Sequence, residues 1–242
     1  MGPFGGWQMP IQYEGILKEH EAARTGAVLF DTCHMGEFRV SGPTALADLE
    51  RLVTCDVGDL EPGRCRYGLL CNEQGGTIDD LVVYRMEPES FMIVVNAGTQ
   101  DNDAEWFRRH LKSSSAFRNL SDQTAKIDLQ GPASPPVLQA LVEKPISDLR
   151  YYRFASNRYR GKDVIVSRTG YTGEIGFEIY FDPPELAIAF WKDAMERGAV
   201  PAGLGARDTL RLEMGMPLYG HELNEERNAG DSGLVRALST RK

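Results

Sequence analysis

Three runs of this 242-residue chain carry polar side chains where packing alone does not call for them. The first, GGTIDDLVVY, sets Asp79 and Asp80 at the entry of a strand after a Gly75-Gly76 turn. Aspartate is disfavoured in strands, so two in succession need a reason. Successive strand residues point to opposite faces, so only one of the two carboxylates faces a given pocket. A solvated strand start or a turn-capping aspartate fits the same spacing. The second run, SRTGYTGEIGFEIYF, has Gly170, Gly173 and Gly176 at three-residue intervals between two strands. No helix follows at once, so this is not a dinucleotide fingerprint; glycine here allows tight turns and close approach of backbone to a ligand. Glu178 alternates with Phe177 and Ile179 and so points away from them, either into a pocket or into solvent.

The third run, GLGARDTLRLEMGMPLYG, reads as a helix from about Ala206 that carries Arg207, Asp208, Arg211 and Glu213. A cation in the first turn is mildly disfavoured by the helix dipole. Arg207 therefore has either a functional role or an ion-pair partner, Asp208 or Glu213. His34, in DTCHMGEF, is the most suggestive of four scattered histidines. There is no Ser-His-Asp constellation, HExxH or P-loop, which gives hydrolase and nucleotide-kinase readings little support.

The elements that must position these groups show an internal echo. VSGPTALADLERLV (40–53) and LQGPASPPVLQALV (129–142) both run from a strand end through Gly-Pro into a helix. Leu46, Leu49, Leu52 and Val53 in one, and Val137, Leu138, Leu141 and Val142 in the other, have helical spacing. Pro43 and Pro132 fall near the first turn, where a missing N–H costs nothing. Strands are expected at 66–71, 77–85 and 91–96, then a helix over 99–111; after the second copy, at 151–159, 163–168 and 177–181, then a helix over 184–197. The expected class is α+β, with duplicated antiparallel-sheet units (about 40–112 and 127–198) flanked by helices. The polar stretch 112–122, KSSSAFRNLSD, is the expected linker.

Composition narrows the partners. A net charge of −8, without a dense Lys/Arg cluster, argues against nucleic acid and anionic membranes. Cys33, Cys55, Cys65 and Cys71 lack CxxC or zinc-finger spacing and read as reduced structural thiols. The opening MGPFGGWQMP is too short and polar for a signal peptide, and no apolar run approaches the roughly 20 residues of a membrane span. A cytoplasmic protein is expected.

Taken together and in order, FGGWQMPIQY, VLFDTCHMGEFRVSGP, GGTIDDLVVY, VVNAG, LQGP, SRTGYTGEIGFEIY and GLGARDTLRLEMGMPLYGHEL resemble the aminomethyltransferase (glycine-cleavage T-protein) family over roughly residues 4–223. The resemblance implies transfer of a one-carbon unit from the aminomethyl-lipoyl arm of a carrier protein to tetrahydrofolate, with release of ammonia. By the same resemblance Asp79 matches the catalytic aspartate, Glu178 the acid that recognises the pterin ring and Arg207 a substrate-binding arginine. Asn96, Tyr67, Met35 and Tyr171 match positions lining the folate pocket. No metal is implied.

The family pattern also sets the expected domains: a discontinuous folate-binding part at 1–40 and 123–225, a second part at 41–122, and a tail at 226–242 where a C-terminal barrel domain would begin. Two departures stand out. Cys33 replaces a common serine, and Asp128 occupies a strand position usually apolar, satisfied at a sheet edge or marking relaxed constraint. Without the barrel domain, a folate-binding but inactive homologue is an alternative; a folate-dependent demethylase domain is another.

Overall fold

The computed structural model describes residues 1–112 and 114–241. In chain order its elements are β1 (Gly2–Phe4), β2 (Trp7–Met9), α1 (Ile16–Thr25), β3 (Val28–Asp31), β4 (Gly36–Ser41), α2 (Ala45–Leu52), β5 (Arg64–Cys71), β6 (Thr77–Glu87), β7 (Ser90–Val95), α3 (Gln100–His110), β8 (Ala116–Asn119), β9 (Ala125–Gln130), α4 (Ser134–Gln139), β10 (Phe154–Tyr159), β11 (Lys162–Ser167), β12 (Gly176–Phe181), α5 (Glu185–Glu196), β13 (Val200–Pro201) and α6 (Leu204–Glu213). They divide into two units, one of Met1–His34 and Asp122–Met216, the other of Met35–Ser121 and the residues from Pro217 onward.

The first unit is built on a sheet of order β10-β11-β12-β9-β3-β13, antiparallel except for the β13–β3 pair. Strand alternation sends Ala125, Ile127 and Leu129 of β9 into a core with Val137 and Leu138 of α4 and Phe190 and Ala194 of α5. The buried residues of α5, Ala187, Phe190 and Ala194, recur at three- and four-residue spacing, the stripe a sheet-covering helix needs. Val28 and Phe30 of β3 face the other way, onto Ala23 of α1 and Ala206 and Leu210 of α6.

The second unit has an all-antiparallel sheet of order β5-β6-β7-β4-β8. Leu81 and Val83 of β6 pack with Leu49 of α2 and Ala104 and Phe107 of α3 on one face. On the other, Tyr67, Leu69 and Cys71 of β5 meet Ala229, Leu234 and Ala237. The echo in the sequence is real in topology, since β5-β6-β7-β4 and β10-β11-β12-β9 have the same order. It also fixes the same residue for the same reason. Gly42 and Gly131 both have positive φ (121° and 110°), and a Cβ would lie 2.5 Å from the Ser114 carbonyl oxygen in one and 2.4 Å from that of Gly26 in the other.

Three expectations differ from the structure. The stretch expected as a linker contains β8, which pairs with β4 as the sheet's edge strand; Ser113 within it lies outside the described residues. The stretch 226–242 is bonded into the second unit as far as Arg241, and 217–225 goes with it. The Thr77 N–H donates to the carbonyls of Asn224 (3.0 Å) and Arg227 (3.1 Å), and Ser239 N–H to that of Thr54 (2.8 Å). Arg241 pairs with Asp56 (2.9 Å) and Asp59 (2.7 Å). Backbone groups at the start of β6 need partners, and this segment supplies them. Lys242 lies outside the described residues. Finally, α6 starts at Leu204, one half-turn before Ala206, because Gly203 already adopts the extended conformation of a helix N-cap. Among the described residues no helix is long and apolar enough to cross a membrane.

Candidate functional site

In the first unit, strand register places Phe30, Asp128, Glu178 and Ser167 side by side across four strands. Asp128 is fully buried on β9, a central strand, so the expectation of an edge position is overturned. Its charge is met from two sides. One carboxylate oxygen accepts from Lys126 Nζ (2.8 Å) and Thr32 Oγ1 (3.0 Å), the other from Arg207 Nη1 (2.8 Å). Lys126, also fully buried, reaches Glu178 Oε1 at 2.7 Å. Glu178 Oε2 accepts from Thr169 Oγ1 (2.5 Å) and Tyr180 OH (3.4 Å). The result is a chain, Glu178–Lys126–Asp128–Arg207, of alternating sign.

Alternation decides the ionisation. Burial disfavours the charged form of Lys126, but Asp128 and Glu178 outweigh it and hold the ammonium above its ordinary range. Burial likewise opposes the Asp128 carboxylate, and Lys126 and Arg207 overcome that and hold it below its ordinary range. His34 is the contrast. Burial, then the nearby Arg207 and Lys126, push its imidazole down to about 3, so it is neutral. Its ring meets Phe4 edge-on at 5.4 Å. The Arg207 guanidinium also lies over the Tyr171 ring, 4.8 Å from the centroid. Neither sequence neighbour proposed for Arg207 pairs with it: Asp208 binds Arg211 (2.8 Å) and Glu213 binds Arg24 (2.6 Å).

The second unit sets three carboxyls of one sign together, Asp79, Asp80 and Asp103. Asp79 shares a strand face with Leu81 and Val83, under the helices, and has no exposed surface. Asp80 points to the opposite face and is half-buried. Asn96, just past the end of β7, ties the two together. Its backbone N–H and side-chain amide bond the Asp79 carboxylate (3.0 and 2.9 Å), and the amide also reaches Asp80 Oδ1 (2.7 Å). Tyr67 OH donates to Asp80 Oδ2 at 3.1 Å.

Behind Asp79 stands Asp103 of α3, fully buried beside the Asp79 carboxyl and the Thr99 hydroxyl. Burial, then the charge of Asp79, push Asp103 up to about 10; it is a neutral acid at pH 7 and can share its proton with Asp79. Burial also raises Asp79, and burial together with the Asp79 charge pushes Asp80 up to about 7. Tyr219 feels the same field: burial, then Glu225, Asp79 and Asp103, push its hydroxyl up to about 12.

The residues singled out in the sequence thus fall into two groups. Glu178, Arg207 and Tyr171 stand on the first unit, with Glu178 and Arg207 joined through Lys126 and Asp128. Asp79, Asn96 and Tyr67 stand on the second, and Met35, half-buried, opens it. Glu178 is not on a solvated face, nor is Asp79 a solvated strand start; both are buried. Sequence reasoning missed Lys126 and Asp103, and weighed Asp80 with Asp79 without giving it a role. Lys126 was visible in the two-residue period, which puts it on the Asp128 face of β9. Asp103 sits four residues before Phe107 on the buried stripe of α3, a position where a carboxyl needs explaining.

A family model described as the GCVT N-terminal domain matches residues 1–242. The chain belongs to this glycine-cleavage T-protein, or aminomethyltransferase, family. It is 45% identical to an aminomethyltransferase of Halalkalibacterium halodurans, over 99% of this chain and 67% of the relative. A Rubrobacter xylanophilus aminomethyltransferase is 48% identical, over 99% of this chain and 64% of its own. The crystal structure of glycine cleavage system aminomethyltransferase T from Bartonella henselae superposes with a TM-score of 0.92 at 35% identity, covering 99% of this chain and 65% of that one. The chain thus spans about two thirds of the length of the curated T-protein relatives it matches.

Proposed function

We propose that the chain acts in tetrahydrofolate-dependent aminomethyl transfer. The aminomethyl group carried on the lipoyl arm of a partner protein gives its carbon to tetrahydrofolate as a methylene group. Ammonia leaves, and the arm is left as dihydrolipoyl. Family membership supports this class of reaction, and the two buried clusters support a division of labour.

Glu178, with Arg207 laid over the Tyr171 ring, has the chemistry to take a flat ring that bears N–H donors. The observation that carries the catalytic half of the reading is Asp80. It is half-buried, held by Tyr67 and Asn96, and lifted to about 7 by burial and by Asp79. The departing amine and the departing lipoyl sulfur each take up a proton, and the two folate nitrogens that share the carbon each give one up. A carboxyl that titrates near neutrality serves both needs. Asp79, with no exposed surface, acts from behind: its charge sets the ionisation of Asp80, and Asn96 holds the pair in register.

The test is a single-turnover assay with an aminomethylated lipoyl carrier and tetrahydrofolate. Asp80→Asn is expected to lower the rate at least about a hundredfold with folate binding retained. Asp79→Asn is expected to lower it less and to move the pH profile. An Asp80→Asn protein with wild-type turnover would remove this carboxylate from the mechanism.

A further inference from the structure

The pair Lys126–Asp128 has no place in the transfer chemistry, yet it occupies the middle of a central strand. A buried pair of this kind is seldom retained for stability alone, because the desolvation of both ions offsets most of their attraction. Its neighbours give it a different use. Glu178 and Arg207 lie on separate elements, β12 and α6, and each is bonded to one member of the pair: Glu178 to Lys126 at 2.7 Å, Arg207 to Asp128 at 2.8 Å. The pair itself closes at 2.8 Å on one strand, two residues apart, so the spacing between its ends is set by the backbone of β9. A guanidinium and a carboxylate on one face would otherwise be free to pair with each other and withdraw from a ligand. The interposed pair gives each of them a partner of the right sign and keeps them apart.

We propose that Lys126 and Asp128 are positioning residues that hold Glu178 and Arg207 apart as a preorganised recognition couple for the folate ring. The proposal rests on the reading that Glu178 and Arg207 bind folate. The couple presents an acceptor at Glu178 and a cation at Arg207, and so selects a ligand that offers N–H donors on one edge and a carbonyl or anionic oxygen elsewhere. Rigidity is part of the device. Lys126 and Asp128 are wholly buried, Thr32 bonds the same oxygen of Asp128 as Lys126 does, and Thr169 fixes the far oxygen of Glu178.

The experiment is calorimetric titration of the full chain with 5-formyltetrahydrofolate. Four proteins are compared with wild type: Lys126→Leu/Asp128→Ala, Lys126→Met, Glu178→Gln and Lys126→Met/Glu178→Gln. Replacing both members by apolar residues leaves no unpaired ion of the pair and is the variant that keeps the fold, which thermal unfolding checks. That double replacement is expected to weaken binding at least about tenfold while melting near wild type. Lys126→Met should weaken binding to a similar degree, but add nothing on the Glu178→Gln background, because Lys126 acts through Glu178. A merely structural lysine would give additive losses instead. Binding that is unchanged or tighter in the folded double replacement overturns the proposal, as do additive losses. A folded wild type that fails to bind overturns the folate reading itself, and this inference with it.

Discussion

The two units bury clusters of charged groups at similar depth and resolve them in opposite ways. In the first, Glu178, Lys126, Asp128 and Arg207 alternate in sign; burial is overcome, and Lys126 and Asp128 both stay ionised with their proton affinities pushed apart. In the second, Asp79, Asp80 and Asp103 share one sign, and Asn96 and Tyr67 donate to the first two. Hydrogen bonds there are outweighed by desolvation and like charge, so proton affinity rises: Asp80 to about 7, Asp103 to about 10. A buried cluster of mixed sign makes fixed charges, which suits binding. A buried cluster of one sign makes protons that move near neutral pH, which suits proton transfer.

The sharpest way to break the comparison is to remove one member of the mixed cluster. Asp128→Ala leaves the Lys126 and Arg207 cations facing each other without their shared carboxylate. Losing one partner of a buried pair costs about 3–5 kcal/mol. Urea unfolding should show a loss of that size, whereas Lys126→Leu/Asp128→Ala should recover most of it. If Asp128→Ala unfolds at the wild-type midpoint, the cluster's charges are not as buried as described.

A smaller effect tests the duplicated frame in which both clusters are mounted. Gly42→Ala and Gly131→Ala each place a Cβ against a carbonyl oxygen, at 2.5 and 2.4 Å, on backbone of positive φ. Each is expected to cost about 1–3 kcal/mol, and the two costs should agree within roughly a kilocalorie if the two Gly-Pro turns are equivalent. A large difference in thermal unfolding between the two variants would show that the turns are alike in sequence but not in strain.

That turn was the most legible feature of the chain. The Gly-Pro echo and the strand runs behind it gave the order of elements, because hydrophobic period and turn chemistry are local properties. The ion pairs were less legible. Arg207 has Asp208 and Glu213 close by in sequence, yet its partner is Asp128, which lies 79 residues away and is brought to it by strand register and helix packing. The tail was less legible for a related reason. Its polar sequence has no periodicity, and what orders it is the Thr77 N–H at the start of β6, which finds its acceptors at Asn224 and Arg227. Asp79 and Asp80 show the intermediate case. Alternation already said that one faces in and the other out, and only the packing of Leu81 and Val83 under the helices decided which.

The smallest expected change at mildly acid pH comes from Asp103→Asn, and its sign is the reverse of Asp128→Ala. Asp103 is already a neutral acid when folded, so an amide of the same shape can donate to Asp79 in its place. At pH 5 its stability should lie within about 1 kcal/mol of wild type. The difference must then grow with pH. Above its unfolded value Asp103 is ionised in the unfolded chain but holds its proton in the folded one until about 10, so the folded state binds more protons. Stability of the wild type therefore falls as pH rises from about 4 toward 10, through this group and, up to about 7, through Asp80. Asp103→Asn removes the larger share of that slope and should be the more stable protein at pH 9. Chemical unfolding at pH 5, 7 and 9 measures it. Parallel curves for the two proteins would mean that Asp103 is ionised in the fold, and that the second unit, like the first, has found a cation for its acids.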